Sequence, residues 1–323
     1  MKQWIQKYTG FLRSLRLVYN FYNLLHIDQL KANRLFYKKF KIRRFLWQSL
    51  AHRHIQNRSN DLPWMDTPSV TDETIKNHSG FSKFSTEIQE QLLQWRENGF
   101  LIIPSLFADV VDDINHEIDL LQQKQVVDFN FTGRKIMDAW KQSPVINNVF
   151  NNPLIVDILS FIFQKKAIPF QTINFIYGSE QKPHSDSVHM TTEPLGYLAA
   201  IWIALEDVVE GSGELVYYPG SHKLPYVMSE HFDSGNNALF LGKHHYENYE
   251  VAIDAVIQKN KLAPSFFYPK KGDVFIWHAN LLHGGSPITN QQQTRKSMVA
   301  HYFAEGVLCY HEISERPAIL HNS

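Results

Sequence analysis

The chain has one cysteine, Cys309, among 323 residues. No disulfide can close within it and no cysteine-based zinc site can form, which suits a reducing compartment. It has no net formal charge, with 32 Lys/Arg against 32 Asp/Glu. It carries no motif for reading nucleic acid, so no nucleic-acid partner is expected. No apolar run reads as long enough to span a bilayer. The first residues lack a short apolar core followed by a small-residue cleavage site, so no signal peptide is expected. Internal repeats and low-complexity tracts are absent. These exclusions leave a globular chain, 44% hydrophobic and 13% aromatic, long enough for a large domain with an ample core. A cytoplasmic location is expected.

Acid is scarce in one region. Residues 1–58 hold thirteen Lys/Arg and a single acid, Asp28, leaving 19 basic and 31 acidic residues for the remainder. Trp4, Tyr8, Phe11, Leu15, Val18, Tyr22 and Leu25 recur at helical steps, with Lys7, Arg13, Arg16 and Asn20 between them. A second set, Leu35, Phe36, Phe40, Leu46 and Leu50, is laced with Lys38, Lys39, Lys41, Arg43 and Arg44. Two readings stand side by side. Residues 1–50 lie on the inner, anionic face of a membrane as a peripheral anchor, or they pack on the domain behind them or on a second copy of the chain.

The rest divides by pattern. Residues 1–60 read as a basic amphipathic helical extension, 61–85 as a polar linker punctuated by Pro63, Pro68 and Gly80, and 86–323 as the main domain. Helices are predicted over 86–98, with Gly99 as the stop, over 108–123 and over 153–163. A buried strand is predicted at 100–104. Short strands follow at 171–177, 197–205, 214–218, 273–278 and 295–303. This is an α+β chain, and so many short strands between turn signals argue for a double-stranded β-helix, the jelly-roll or cupin-like core, with flanking helices.

Pro183-His184-Ser185-Asp186-Ser187 is the stretch with the most chemistry in it. On an extended strand, residues two apart leave from the same face, so His184 and Asp186 present an imidazole beside a carboxylate. Among 16 histidines and 32 acids one such pair arises easily by chance. What raises it is the turn and strand from Gly272-Asp273 that ends in His283-Gly284-Gly285. With His283 the three make a 2-His-1-carboxylate set, which suits non-haem Fe(II) and leaves positions open for a co-substrate and O₂. Arg295 lies downstream. Its guanidinium fork holds a carboxylate bidentately, and Ser297, two residues on, shares its strand face and adds a hydroxyl donor. That combination is what a 2-oxoglutarate oxygenase requires.

The same stretches, with Trp202-Ile203-Ala204-Leu205-Glu206-Asp207 and Gly213-Glu214-Leu215-Val216-Tyr217-Tyr218-Pro219-Gly220-Ser221-His222-Lys223 between them, resemble the phytanoyl-CoA dioxygenase family of Fe(II)/2-oxoglutarate oxygenases. The resemblance runs from about Ser85 to Phe303. It implies that His184, Asp186 and His283 bind iron, that Arg295 binds the distal carboxylate of 2-oxoglutarate, and that Trp202 lines the co-substrate pocket. Related halogenases replace the carboxylate ligand with a small residue; Asp186 is kept here, which favours hydroxylation.

Other polar residues have weaker credentials. Asn174 and Gln181 precede the metal ligands and would reach the co-substrate; Tyr177 and His189 would touch substrate. Polar groups at a strand lip serve structure as often as function. His222 sits in a turn, His244-His245 reads as a surface pair, and His278 and His301 read as satisfied core groups on strands or as supports beside the ligands. The expected reaction is hydroxylation of a C–H bond in a small-molecule, lipid or glycan-type metabolite, using Fe(II), 2-oxoglutarate and O₂. The alternatives are desaturation, epimerisation or cyclisation at the same iron site, or a catalytically silent jelly-roll module tethered to a membrane or partner.

Overall fold

A computed structural model describes residues 14–130 and 133–320. The expected periodicity through Trp4, Tyr8 and Phe11 lies outside the described residues. The longer helices are α1 (Arg16–Leu25), α2 (Thr86–Asn98), α3 (Val111–Gln123), α4 (Pro144–Phe150), α5 (Pro153–Phe163) and α6 (His245–Asn260). Helix α2 opens where the Ser85 hydroxyl accepts from the Ile88 amide, and closes on Gly99 at φ 76°. A side chain at Gly99 would also collide with the His222 ring, 2.3 Å from where its Cβ would stand.

Six strands form a large antiparallel sheet in the order β1 (Phe100–Ile103), β8 (Val274–His278), β5 (Leu198–Ala204), β10 (Ser297–Ala304), β3 (Ala167–Phe175) and β2 (Ile136–Met137). A smaller sheet of β7 (Ser265–Phe267), β6 (Leu215–Tyr217) and β9 (His283–Gly285) lies over it. A third sheet joins β12 (Arg316–Pro317), β11 (Leu308–His311) and β4 (Thr191–Glu193). Every residue of β5, β8 and β10 is buried, because the large sheet is covered on both faces. Ile201, Ile203, Val274, Ile276, Met298 and Ala300 face the helices. Trp202, Phe275, Trp277 and Val299 face Leu215, Tyr217 and Phe267 of the smaller sheet. This is the jelly-roll core, with helices on its outer side.

One expectation about the chain before residue 86 is corrected. Residues 61–85 are no linker: Met65, Val70, Ile75, Phe81 and Phe84 are buried in the main core, so apolar residues spaced between prolines were anchoring rather than spacing. The described part of the extension packs on the domain behind it, one of the two readings its pattern allowed. Tyr37, Phe40, Ile42, Leu50 and Ile55 share a core with Leu308 and Tyr310 of β11. A second correction concerns α4 and α5. Pro144–Phe163 is apolar and long enough, by length and composition, to cross a membrane. It is two helices, each opened by its own cap at Ser143 and Asn152, and Ile146, Phe150, Ile158 and Ile162 sit in the core.

Electrostatic clamps fasten the extension to the body. The Glu315 carboxylate is buried between Arg16 at 2.5 Å and Arg53 at 2.6 Å. Glu312 accepts from the His52 amide at 2.7 Å, and Glu230 pairs with Arg58 at 3.0 Å. Burial by itself would raise the Glu315 pKa, but the Arg53 and Arg16 guanidinium groups outweigh it and hold the carboxyl below its ordinary range. A depressed carboxylate contributes stability that is complete above the usual glutamate value of about 4.3 and is lost as pH falls through the folded value. Glu315→Gln is expected to lower stability by about 3 kcal/mol at neutral pH, since it leaves Arg16 buried without its counter-charge. Denaturant melts should show the gap from the parent closing as pH drops below about 4. A gap that does not change with pH would rule out the charge as its cause.

Candidate active site

His184 and Asp186 do not share an extended strand, as the spacing suggested. His184 makes a two-bond bridge with His283, amide to carbonyl at 2.9 and 3.0 Å. Ser185 then accepts from the Ser187 amide at 3.2 Å and donates to the Ala279 carbonyl at 2.9 Å, which starts the 3-10 turn Asp186–Val188. The turn, rather than strand alternation, swings the Asp186 carboxylate to the imidazoles. The approach depends on Gly284: a Cβ there would lie 2.6 Å from the Gln181 carbonyl.

The three ligand atoms lie within 4.8 Å of one another, all on buried residues. His283 Nε2 is 3.7 Å and His184 Nε2 3.9 Å from Asp186 Oδ1. His184 Nδ1–H donates to the Lys182 carbonyl and His283 Nδ1–H to the Leu281 carbonyl, each at 2.9 Å. A carbonyl only accepts, so both protons sit on Nδ1 and both Nε2 lone pairs are left for a metal. Trp277 Nε1–H donates to Asp186 Oδ2 at 2.8 Å and leaves Oδ1 for a metal. Burial holds the His184 imidazole well below its ordinary pKa, as a neutral ligand requires. Burial would raise the Asp186 pKa, but the His283, His301 and His184 rings outweigh it, and the carboxyl lies below its usual range. These donors fit Fe(II).

Arg295 lies just before β10, with its side chain buried in the same cavity. Its guanidinium carbon stands 5.4 Å from the Trp202 ring centre and 5.7 Å from that of Phe175. Burial lowers its pKa to about 10, so it stays charged at neutral pH. Among the described residues it pairs with no carboxylate, and its Nε has no hydrogen-bond partner. The Ser297 hydroxyl, on the strand face of Val299, is also buried without a partner. A buried fork beside an unsatisfied hydroxyl is a cradle for an incoming carboxylate.

The cavity holding these groups measures about 1040 Å³. Gln181 and His189 line it, and the Gln181 amide donates to the Tyr246 hydroxyl at 2.9 Å. Burial pushes the His189 imidazole down to about 4. Two candidates fall away. Asn174 pairs across the ladder with Met298 and so takes the helix-facing side of β3, whereas Ile173 and Phe175 face the cavity. Tyr177 is 51% exposed, because β3 ends at Phe175 and the chain bends away. His245 is no surface residue either: it opens α6 and lines the cavity, while His244 beside it stays exposed with Glu247. Sequence reasoning missed Lys135, whose ammonium reaches the cavity and donates to Gln181 Oε1 at 3.3 Å. It missed the Asp186 contact of Trp277 too; His301, read as a core group or a support beside the ligands, reaches Asp186 Oδ2 at 3.6 Å. Strand alternation from Phe275 offered a signal for Trp277; nothing local singled out Lys135.

A jelly roll carries two imidazoles and a carboxylate beside a buried arginine that has no carboxylate partner among the described residues, a donor set that Fe(II) and 2-oxoglutarate would fit. The sequence profile of phytanoyl-CoA dioxygenase (PhyH) matches residues 95–297, and the chain belongs to that family. It is 24% identical over 165 residues to phytanoyl-CoA dioxygenase domain-containing protein 1 of Mus musculus, covering 49% of this chain and 52% of that protein. It is 22% identical to peroxisomal phytanoyl-CoA dioxygenase of Bos taurus, covering 69% and 70%. The chain therefore spans about half the length of the first relative and somewhat over two thirds of the second. Among solved structures, it resembles the 2-oxoglutarate-dependent carbocyclase SnoK of nogalamycin biosynthesis (TM-score 0.55, 17% identity, covering 74% of this chain and 89% of SnoK). EctD from S. alaskensis also matches at TM-score 0.55 and 17% identity, covering 81% and 89%. These two likenesses speak for the fold.

Proposed function

We propose that the protein hydroxylates a C–H bond of a small-molecule metabolite, with His184, Asp186 and His283 as iron ligands and Arg295 as the clamp for 2-oxoglutarate. The observation that carries this reading is the Arg295 guanidinium, buried without a carboxylate partner in the cavity that holds the three ligands. With iron and 2-oxoglutarate bound, O₂ is reduced as 2-oxoglutarate loses CO₂ to become succinate; one oxygen atom enters succinate and the other the substrate.

The chain's own residues position and exclude. Trp277 holds Asp186 Oδ2 and leaves Oδ1 as the oxygen that would ligate iron. Arg295 and Ser297 take the distal carboxylate of 2-oxoglutarate, with Trp202 and Phe175 walling the guanidinium from water. Gln181 fixes Lys135 and Tyr246 on the substrate side, where His189 lies against the His184 ring. The retained Asp186 favours hydroxylation over halogenation.

The test is product analysis. Purified protein supplied with Fe(II), 2-oxoglutarate and isotopically heavy dioxygen is screened against a metabolite pool. Succinate formation, with gain of one labelled oxygen by a substrate, is the expected result. Loss of two hydrogens would replace hydroxylation by desaturation or cyclisation, and an isomer of unchanged mass would replace it by epimerisation. No iron binding by the intact chain would overturn the reading altogether.

A further inference from the structure

Helix α1 is built inside out. It buries Arg16 and Asn23, while Leu17, Phe21, Leu24 and Leu25 are 66%, 63%, 47% and 67% exposed. Apolar residues at this spacing normally form the stripe that a surface helix turns toward the core. Here specific bonds hold the stripe outward. Arg16 reaches Glu315 at 2.5 Å and the Ser49 hydroxyl at 3.1 Å, and the Asn23 amide donates to the Trp47 carbonyl at 3.1 Å. Phe45, 67% exposed and stacked on Trp47 at 5.8 Å, extends the apolar surface next to the helix.

Charge says what covers it. Arg34, Lys38, Lys39, Lys41, Arg43 and Arg44 are all exposed, and among the described residues none of the six pairs with a carboxylate. A second copy meeting this face about a two-fold axis would bring the same cations against one another. An anionic lipid surface offers the opposite charge together with an apolar layer to receive the leucines.

We propose that α1 and the basic segment 31–45 dock on an anionic lipid bilayer. The other side of the same helix walls the active-site cavity: Tyr19 lines it, and the Arg16 amide donates to the Leu239 carbonyl at 3.0 Å in the segment that carries Phe240 and Leu241 over the cavity. Docking therefore sets the cavity beside the lipid–water interface. This goes beyond the oxygenase reading and does not depend on it.

The full chain is co-sedimented with vesicles of phosphatidylcholine alone and of phosphatidylcholine with phosphatidylserine, at low and high salt. Expected is binding to the phosphatidylserine vesicles that weakens as salt rises. The variant L17S/F21S/L24S should bind at least about tenfold more weakly. K38E/K39E/R43E should lose about fivefold per charge removed. These positions are exposed, so thermal melts and 2-oxoglutarate turnover should stay at parental values. No binding at low salt, or equal salt-insensitive binding to both vesicles, overturns the proposal. So does a dimer in solution that the serine variant splits, because the apolar face then belongs to a second copy. Vesicle binding without turnover would count against the oxygenase reading and leave docking standing.

Discussion

Replacing His283 with alanine is expected to abolish succinate formation while the fold survives. The substitution removes one of three donors gathered within 4.8 Å, leaving an imidazole and a carboxylate that cannot hold the metal's open geometry. Loss of a residue that merely supports a ligand typically costs 10–100-fold in metal affinity, so loss of a ligand should exceed about 100-fold. The fold has little to lose, since β9 is anchored by backbone bonds to His184 and β6 that alanine keeps. Metal titration and circular dichroism of His283→Ala and His184→Ala separate the two effects. Full activity in either variant would end the assignment of these residues as ligands.

For Arg295→Lys, iron binding should persist while apparent affinity for 2-oxoglutarate falls by about 100-fold. The charge is conserved, so any loss measures geometry. A guanidinium offers two parallel donors to a carboxylate, and an ammonium offers one at a time. A charge-assisted hydrogen bond contributes about 1.5–3 kcal/mol, and each 1.4 kcal/mol is tenfold. The planar group also lies between Trp202 and Phe175, and lysine would not fill that space. Succinate formation measured against 2-oxoglutarate concentration gives the result. An unchanged dependence would transfer the clamp to another group, such as Lys135, another cation lining the cavity.

The sequence and the structure part company at particular residues. Asn174 and Trp202 are both polar-tipped or aromatic positions on strands near the site, and local pattern does not rank them. Pairing with Met298 turns Asn174 to the helices; pairing with Val299 turns Trp202 to the cavity. The helix α6 went unread because His244-His245 precedes a weakly patterned run, of which Tyr249, Ile253 and Ile257 alone are buried. The outward stripe of α1 was legible as a stripe, but its direction was not, because Glu315 nearly three hundred residues away decides it.

By itself, then, the sequence determined the features that depend on neighbours along the chain: the cap and stop of α2, the runs that became β1, β5, β8 and β10, and the residue types of the iron and carboxylate sites. Those rest on periodicity, backbone preference and side-chain chemistry, all of which act locally. Tertiary structure alone decided which polar groups face the cavity, how the turn at Ser185 aims Asp186, where Trp277 and Lys135 arrive, and that residues 61–85 belong to the core. Each of those depends on strand register, burial on both faces of a sheet, or a charge brought from the far end of the chain, and such contacts exist only once the packing has chosen them.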